Sequence, residues 1–211
     1  MRDGFARCYQ CDLAHERYGG LLADVVAPVA YAVKGGQLAA DLWRYKSGAA
    51  GAAEAGVRLA SMLAGFLREH ADGVWRAAGM SDGPGLAAVV PSGQSRLGVH
   101  PLLAIVTSCV DVPVVGLSAT RGAVPRGRGL GDGVTLDWVT VPSPVAGTEV
   151  LLVDDTWVSG GSAQSAAAAL KMAGAGRVAL VVLGRHLDPA DPRSAELLRV
   201  LHAKTMGAKS G

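Results

Sequence analysis

At 211 residues the chain is long enough for one well-cored domain with a modest appendage, and too short for two domains of full size. Half of its residues are apolar, and 20 basic side chains against 18 acidic ones leave a formal charge of +2. That composition describes a globular chain, and its net charge is too small to imply a duplex nucleic-acid partner, whose binding rests on many clustered phosphate neutralisations; any positive site must be local. No window approaches the roughly eighteen uninterrupted apolar residues of a membrane span, and the opening MRDGFARCYQC lacks the apolar core and cleavage site of a signal peptide. The expectation is a cytoplasmic protein without a membrane partner. Three cysteines, two of them in Cys8-x-x-Cys11, do not make an extracellular disulfide framework.

The first elements fall in residues 1–80, read as an N-terminal Cys-pair and helical segment. Cys8 and Cys11 have the spacing of a zinc knuckle, with His15 as a third candidate ligand; a closed structural Zn²⁺ site needs four. The alternative is a pair of ordinary thiols in a tight turn. A β-rich run, VVAPVAYAV, occupies 25–33. Helical spacing of Leu38, Ala39, Leu42, Trp43 and Tyr45 predicts a helix over 37–45, and Val57, Leu59, Ala60, Leu63, Phe66 and Leu67 predict another over 52–70. Trp43, Trp75 and Trp138 read as packing residues. The stretch GMSDGPG at 79–85 is the expected boundary before a core at 81–205.

Beyond it, strand and helix alternate. Strands are predicted at 86–90, 112–117, 135–141, 150–153 and 178–183, and helices at 101–109, 163–173 and 191–204. Short unbroken aliphatic strands alternating with helices predict an α/β fold: a doubly wound, mostly parallel sheet covered on both faces. Cys109, amid Ile105, Val106 and Val110, reads as a small core residue. The loop ATRGAVPRGRGLGDG at 119–133 is too rich in glycine and arginine for regular structure, and residues 206–211 have no reason to be ordered.

The chemistry concentrates in VLLVDDTWVSGGSAQSAAAAL. Val150, Leu151, Leu152 and Val153 make a buried strand expected to end at the carboxylates Asp154 and Asp155, and a short loop then opens a helix. Ligands of open α/β sheets bind at the carboxyl ends of strands. Thr156, Ser159 and Ser162 supply hydroxyls, while Gly160 and Gly161 let bare backbone N–H groups approach an anion at the amino end of the next helix. The acid pair suits vicinal sugar hydroxyls, so one element would hold a sugar 5-phosphate from both sides. The competing reading is a helix cap with no ligand.

VLLVDDTWVSGGS resembles the 5-phosphoribosyl 1-diphosphate (PRPP) signature of type I phosphoribosyltransferases, in which four apolar residues precede two acids and a Thr/Gly-rich loop. The resemblance implies that Asp154 and Asp155 contact ribose hydroxyls and that Thr156, Val158, Ser159, Gly160, Gly161 and Ser162 wrap the 5-phosphate. It implies a type I phosphoribosyltransferase-like sheet with an N-terminal hood. Trp157 is bulkier than the usual residue, and Val158 stands where purine-salvage members carry an aspartate, which argues against that acid–base role. The likeness extends to the competence-protein ComF-like branch through Cys8 and Cys11, Tyr45 and Lys46, and VVPSGQSR at 89–96; the branch's second Cys pair and RGFNQ-like stretch are missing, the latter replaced by LGVHP at 97–101.

The same resemblance makes Ser92, Gly93, Gln94, Ser95 and Arg96 a pyrophosphate loop, for which small residues offer amides and Arg96 a charged fork. A polar turn with a surface arginine is the alternative. Arg121, Arg126 and Arg128 fall on the segment that closes over the reaction in the family, and equally suit a solvated surface. His100, next to the pyrophosphate loop, reads as structural; Trp157 is a candidate wall of the ribose pocket. The implied activity is transfer of the phosphoribosyl group from Mg²⁺-PRPP to a nitrogenous acceptor with release of pyrophosphate, Asp154, Asp155 and Arg96 being the catalytic candidates. The alternative is a PRPP- or nucleotide-binding accessory module, related to DNA uptake, without turnover. Members often form homodimers. No G-x-x-x-x-G-K-[ST] occurs, which disfavours a P-loop hydrolase.

Overall fold

A computed structural model describes residues 9–92, 100–120, 133–142 and 144–208, without the side chains of 9–11 and 202–208. In chain order, helix α1 is Tyr9–Tyr18, strand β1 Val25–Val33, α2 Gln37–Arg44, α3 Ala52–Ala78, β2 Leu86–Val89, α4 Pro101–Thr107, β3 Val114–Gly116 and β4 Ser118–Ala119. Then follow β5 Val139–Thr140, β6 Glu149–Trp157, α5 Gly161–Met172, β7 Arg177–Leu187 and α6 Pro192–Ala208.

Five strands form one parallel sheet in the order β1-β7-β6-β2-β3. The α/β class and the mostly parallel sheet covered on both faces are therefore as expected. Strand alternation sorts the core into two layers. Leu151 and Val153 of β6, with Ala179, Val181 and Leu183 of β7, pack against α2, α3 and α4; Val150 and Leu152, with Val178, Leu180 and Val182, pack against α5. Because β6 is buried on both faces it reads as a continuous aliphatic run. Full burial of each such side chain contributes about 1.5–3 kcal/mol.

Residues 79–85, read as the boundary before the core, form the connection between α3 and β2. β1 belongs to the same sheet as the rest and lies at its edge beside β7. Edge position explains Pro28 in mid-strand, since its missing N–H costs no ladder bond on the open side. Helix α3 runs past the expected end at His70 to Ala78, because Val74 and Ala78 continue the buried stripe of Ala55, Leu59 and Leu63. It stops at Gly79, whose φ of 73° permits Met80 N–H to reach Trp75 O at 2.9 Å. Asp41 of α2, 3% exposed, accepts two bonds from the Arg58 guanidinium of α3 at 2.9 and 2.6 Å, locking the two helices together. Those contacts hold its carboxyl below the usual range.

Three expectations need correction. The strand predicted over 135–141 shrinks to Val139–Thr140, which pairs antiparallel with β4 outside the main sheet. Thr135 N–H instead donates to Ser165 Oγ at 2.8 Å, and Trp138 is fully buried against the α5 layer. Helix α6 continues to Ala208, beyond the expected 204 and into the first residues of the tail read as disordered over 206–211. Strand β6 does not end at Val153; it runs on to Trp157, still paired to β7 through Thr156↔Gly184 and Trp157↔Arg185.

Candidate functional site

Topology alone marks one place on the sheet. β2 leads through α4 to β3 on one side, while β6 leads through α5 to β7 on the other, with α4 and α5 on opposite faces. Right-handed crossovers running in opposite directions demand that division. Between the carboxyl ends of β2 and β6 the strand order reverses, which is where open α/β sheets form their ligand crevice. The loop expected to bind pyrophosphate follows β2, and the loop expected to bind the 5-phosphate follows β6.

β2 stops at Val89, opposite Val153 of β6. Asp154 and Asp155 are thus the first residues of β6 to lose their β2 neighbour, and they sit at the crevice although their own strand continues. Alternation separates the two side chains. Asp155, 5% exposed, faces the α2 layer, where its Oδ2 accepts from the Tyr45 hydroxyl and pairs with the Lys46 ammonium. Asp154 lies on the α5 side, half-buried, and its Oδ1 accepts from Asp155 N–H at 2.8 Å. The expectation that both carboxylates present themselves together to one sugar is therefore not what the strand geometry provides. Asp155 already has two protein donors, both from the N-terminal segment.

Burial, and after it the negative charge of Asp155, pushes the Asp154 carboxyl up to about 7. The folded chain holds that proton from pH 3.8 to about 7, where the unfolded chain has released it. Folding stability contributed by this group therefore falls as pH rises through that window. Urea unfolding at pH 5.5 and 8 should show the protein losing stability toward pH 8, and Asp154→Asn should flatten the slope and leave the variant the more stable at pH 8. An unchanged slope in the variant would assign the effect elsewhere; the depressed carboxyls of Asp24, Asp41 and Asp188 titrate below this range.

The turn after β6 is shorter than the sequence suggested, since Thr156 and Trp157 belong to the strand. It comprises Val158, which is 72% exposed, Ser159 and Gly160, and Gly161 opens α5. Gly160 has φ +81°, and a Cβ there would overlap the Trp157 ring, so the indole lies against this glycine. Trp157 thereby supports the turn and packs against the α5 layer. At Gly161 a Cβ would come within 2.7 Å of Gly133 O. Ser162 is half-buried beside these glycines.

Several contacts secure the first turn of α5. Ser165 Oγ donates to Gly161 O at 2.7 Å, and Gln164 Oε1 accepts from Ala23 N–H at 2.9 Å. Residues 121–132, which carry Arg121, Arg126 and Arg128, lie outside the described residues. The ends of that segment are anchored near the site: Thr120 N–H donates to Trp138 O at 2.7 Å, and Gly133 lies against Gly161. Gly93, Gln94, Ser95 and Arg96 also lie outside the described residues, while Ser92 is half-buried at the exit of β2. Cys8 and the Cys11 side chain fall outside as well; His15 is exposed on α1. Among the described residues no group of three or more His, Cys, Asp and Glu side chains can hold a metal ion, and no helix is long and apolar enough to cross a membrane.

His100 caps α4, its Nδ1 accepting from Leu102 N–H at 3.2 Å, which is the structural role read for it. Cys109 Sγ donates to Ala60 O at 3.4 Å and joins the turn after α4 to α3. Sequence reasoning missed a cleft of about 460 Å³ beside the acid pair, with Lys46, Ser47, Thr156 and His186 among its lining. Its outer wall includes Trp43, whose indole is 70% exposed instead of packed.

No protein-family model matches the sequence, and no curated protein matches it. Among solved structures the chain is similar to a phosphoribosyltransferase from Corynebacterium diphtheriae, at 22% identity and TM-score 0.38, over 92% of this chain and 89% of that one. It is similar to a purine phosphoribosyltransferase from Pyrococcus horikoshii at 17% identity and TM-score 0.36, over 64% and 87% of the two chains. An orotate phosphoribosyltransferase from Mycobacterium tuberculosis matches at 21% identity and TM-score 0.35, over 68% and 67%. At such identities and scores the likeness assigns no role to any residue of this chain. The protein is a mixed α/β chain built on a parallel five-stranded sheet, and these structural neighbours are phosphoribosyltransferases.

Proposed function

We propose that the chain binds Mg²⁺-PRPP across the carboxyl ends of β2 and β6 and transfers the phosphoribosyl group to an acceptor with release of pyrophosphate. The observation that carries this reading is the coincidence of the topological switch point with both ligand loops read from the sequence, and with Asp154 between them. The 5-phosphate sits on the turn Val158–Ser159–Gly160 and the amides opening α5, where the helix dipole favours an anion. The geometry favours Asp154 over Asp155 as the carboxylate nearer the sugar, because Asp155 is satisfied by Tyr45 and Lys46.

The few carboxylates fit an Mg²⁺ held mainly by PRPP oxygens, with Asp154 as the protein's ligand, supplying charge neutralisation at the leaving pyrophosphate. The chain's own part is positioning: the α5 turn fixes the phosphate, Asp154 orients ribose, and Ser92 to Arg96, with Arg121, Arg126 and Arg128, receive the pyrophosphate and exclude water.

Titration calorimetry with Mg²⁺-PRPP should show binding to the wild type, weakened at least about tenfold in Asp154→Asn, the loss expected for a hydrogen bond to a charged group. Absence of binding, or equal binding by the variant, would falsify the site. Pyrophosphate release with a panel of nitrogenous acceptors then separates turnover from a PRPP-binding module. The exposed apolar Val158, lacking any acid–base group at that position, is what keeps the second reading open.

A further inference from the structure

The amino end of α5 carries the amides proposed to hold the 5-phosphate, yet the alanine-rich helix behind it is interrupted by two polar side chains, Gln164 and Ser165. Among the described residues buried polar side chains are few, and these two stand side by side, Gln164 4% exposed and Ser165 fully buried. Burying such groups costs free energy unless each finds a partner. Alanine, which occupies 166 to 169, would fill position 165 without that cost.

Each of the two reaches a different segment of the chain. Gln164 Oε1 accepts from Ala23 N–H at 2.9 Å, just before β1. Ser165 Oγ has one proton, which it donates to Gly161 O at 2.7 Å, and the same oxygen accepts from Thr135 N–H at 2.8 Å. The two segments also meet each other, for the Tyr18 hydroxyl donates to Val134 O at 3.3 Å and Val134 is buried with Ala14 and Leu22. Gly133 lies against Gly161, backbone on backbone. The first turn of α5 is thereby held in a closed ring of contacts, in which Ser165 bonds at once the helix's opening carbonyl and a neighbouring segment.

We propose that Ser165 is a positioning residue of the turn before α5: its hydroxyl fixes Gly161 against the 133–135 segment, braced in turn by Tyr18, and so aims the opening amides of the helix at a phosphoryl group. Ser165 is buried and does not touch the ligand; it acts through Gly161, the residue that opens the helix. The brace at Val134 ties the N-terminal helix α1 to the anion affinity of a turn far along the chain. The identity of the anion, a sugar 5-phosphate, rests on the phosphoribosyl-transfer reading.

Ribose 5-phosphate and Mg²⁺-PRPP are titrated into the full chain by calorimetry, with urea unfolding of each variant alongside. Ser165→Ala deletes one oxygen among alanines and should bind both phosphates about tenfold more weakly, the loss expected when charge-assisted bonds from the amides are mis-aimed. Ser165→Thr keeps a hydroxyl able to bond the carbonyl four residues back, but adds a methyl to a full site; it should lose stability and retain the wild-type affinity. A serine that only supports the fold would rank the variants by stability, whereas a positioning serine ranks them by hydroxyl. Tyr18→Phe removes the bond to Val134 O and should weaken both phosphates about threefold, a test that stands even if Ser165→Ala fails to fold. Wild-type affinity in Ser165→Ala or in Tyr18→Phe, or affinities that follow stability and not the hydroxyl, would overturn the positioning role while leaving the phosphate site in place. No binding of either phosphate by the wild type overturns both.

Discussion

Gly160→Ala is expected to cost about 3 kcal/mol of folding stability, the sum of two separate penalties. At φ +81° an L side chain pays about 1–2 kcal/mol for the left-handed conformation. The new Cβ must also displace the Trp157 ring, an overpacking cost of about 1–3 kcal/mol. Trp157 packs on the α5 layer and the turn is held at Gly161 by Gly133, which opposes relaxation. Urea denaturation measures the loss, and the Trp157 emission maximum should shift as its ring leaves the glycine. Gly147→Ala is the control, for it has φ +72° with nothing within 4 Å of its Cβ, and it should show only the conformational penalty. Equal losses at the two positions would mean that the indole does not buttress the turn.

The second large effect concerns Asp155. Among the described residues, Lys46→Met leaves a carboxylate that is 5% exposed with the Tyr45 hydroxyl as its side-chain donor, and breaking a buried pair from one side costs about 3 kcal/mol. Lys46 also lowers the Asp154 carboxyl, so its loss pushes that group further up and makes stability fall more steeply as pH rises. Adding Asp155→Asn to Lys46→Met should restore most of the stability, and the double-mutant cycle should return a coupling well above that of a surface pair. An additive cycle would show the contact to be without energetic weight.

How much of this was legible beforehand depends on sequence distance. The β6–turn–α5 unit was readable because all of its signals are local: four aliphatic residues, two acids, paired glycines and an alanine-rich helix. Its end was misjudged, since Asp154 to Trp157 have no aliphatic run and become strand only through pairing with β7. In the same way the 135–141 run has strand-forming residues but is drawn off by Ser165 and the buried Trp138.

The sequence by itself determined the α/β class, the alternation of elements and the residues of the turn before α5, because hydrophobic period and glycine placement act between near neighbours. Tertiary structure alone decided that the two aspartates face opposite layers, that Tyr45 reaches Asp155 across 110 residues with Lys46 beside it, and that Trp43 borders a cleft. Those outcomes follow from strand order and helix packing, which bring together groups whose separation along the chain carries no periodic signal.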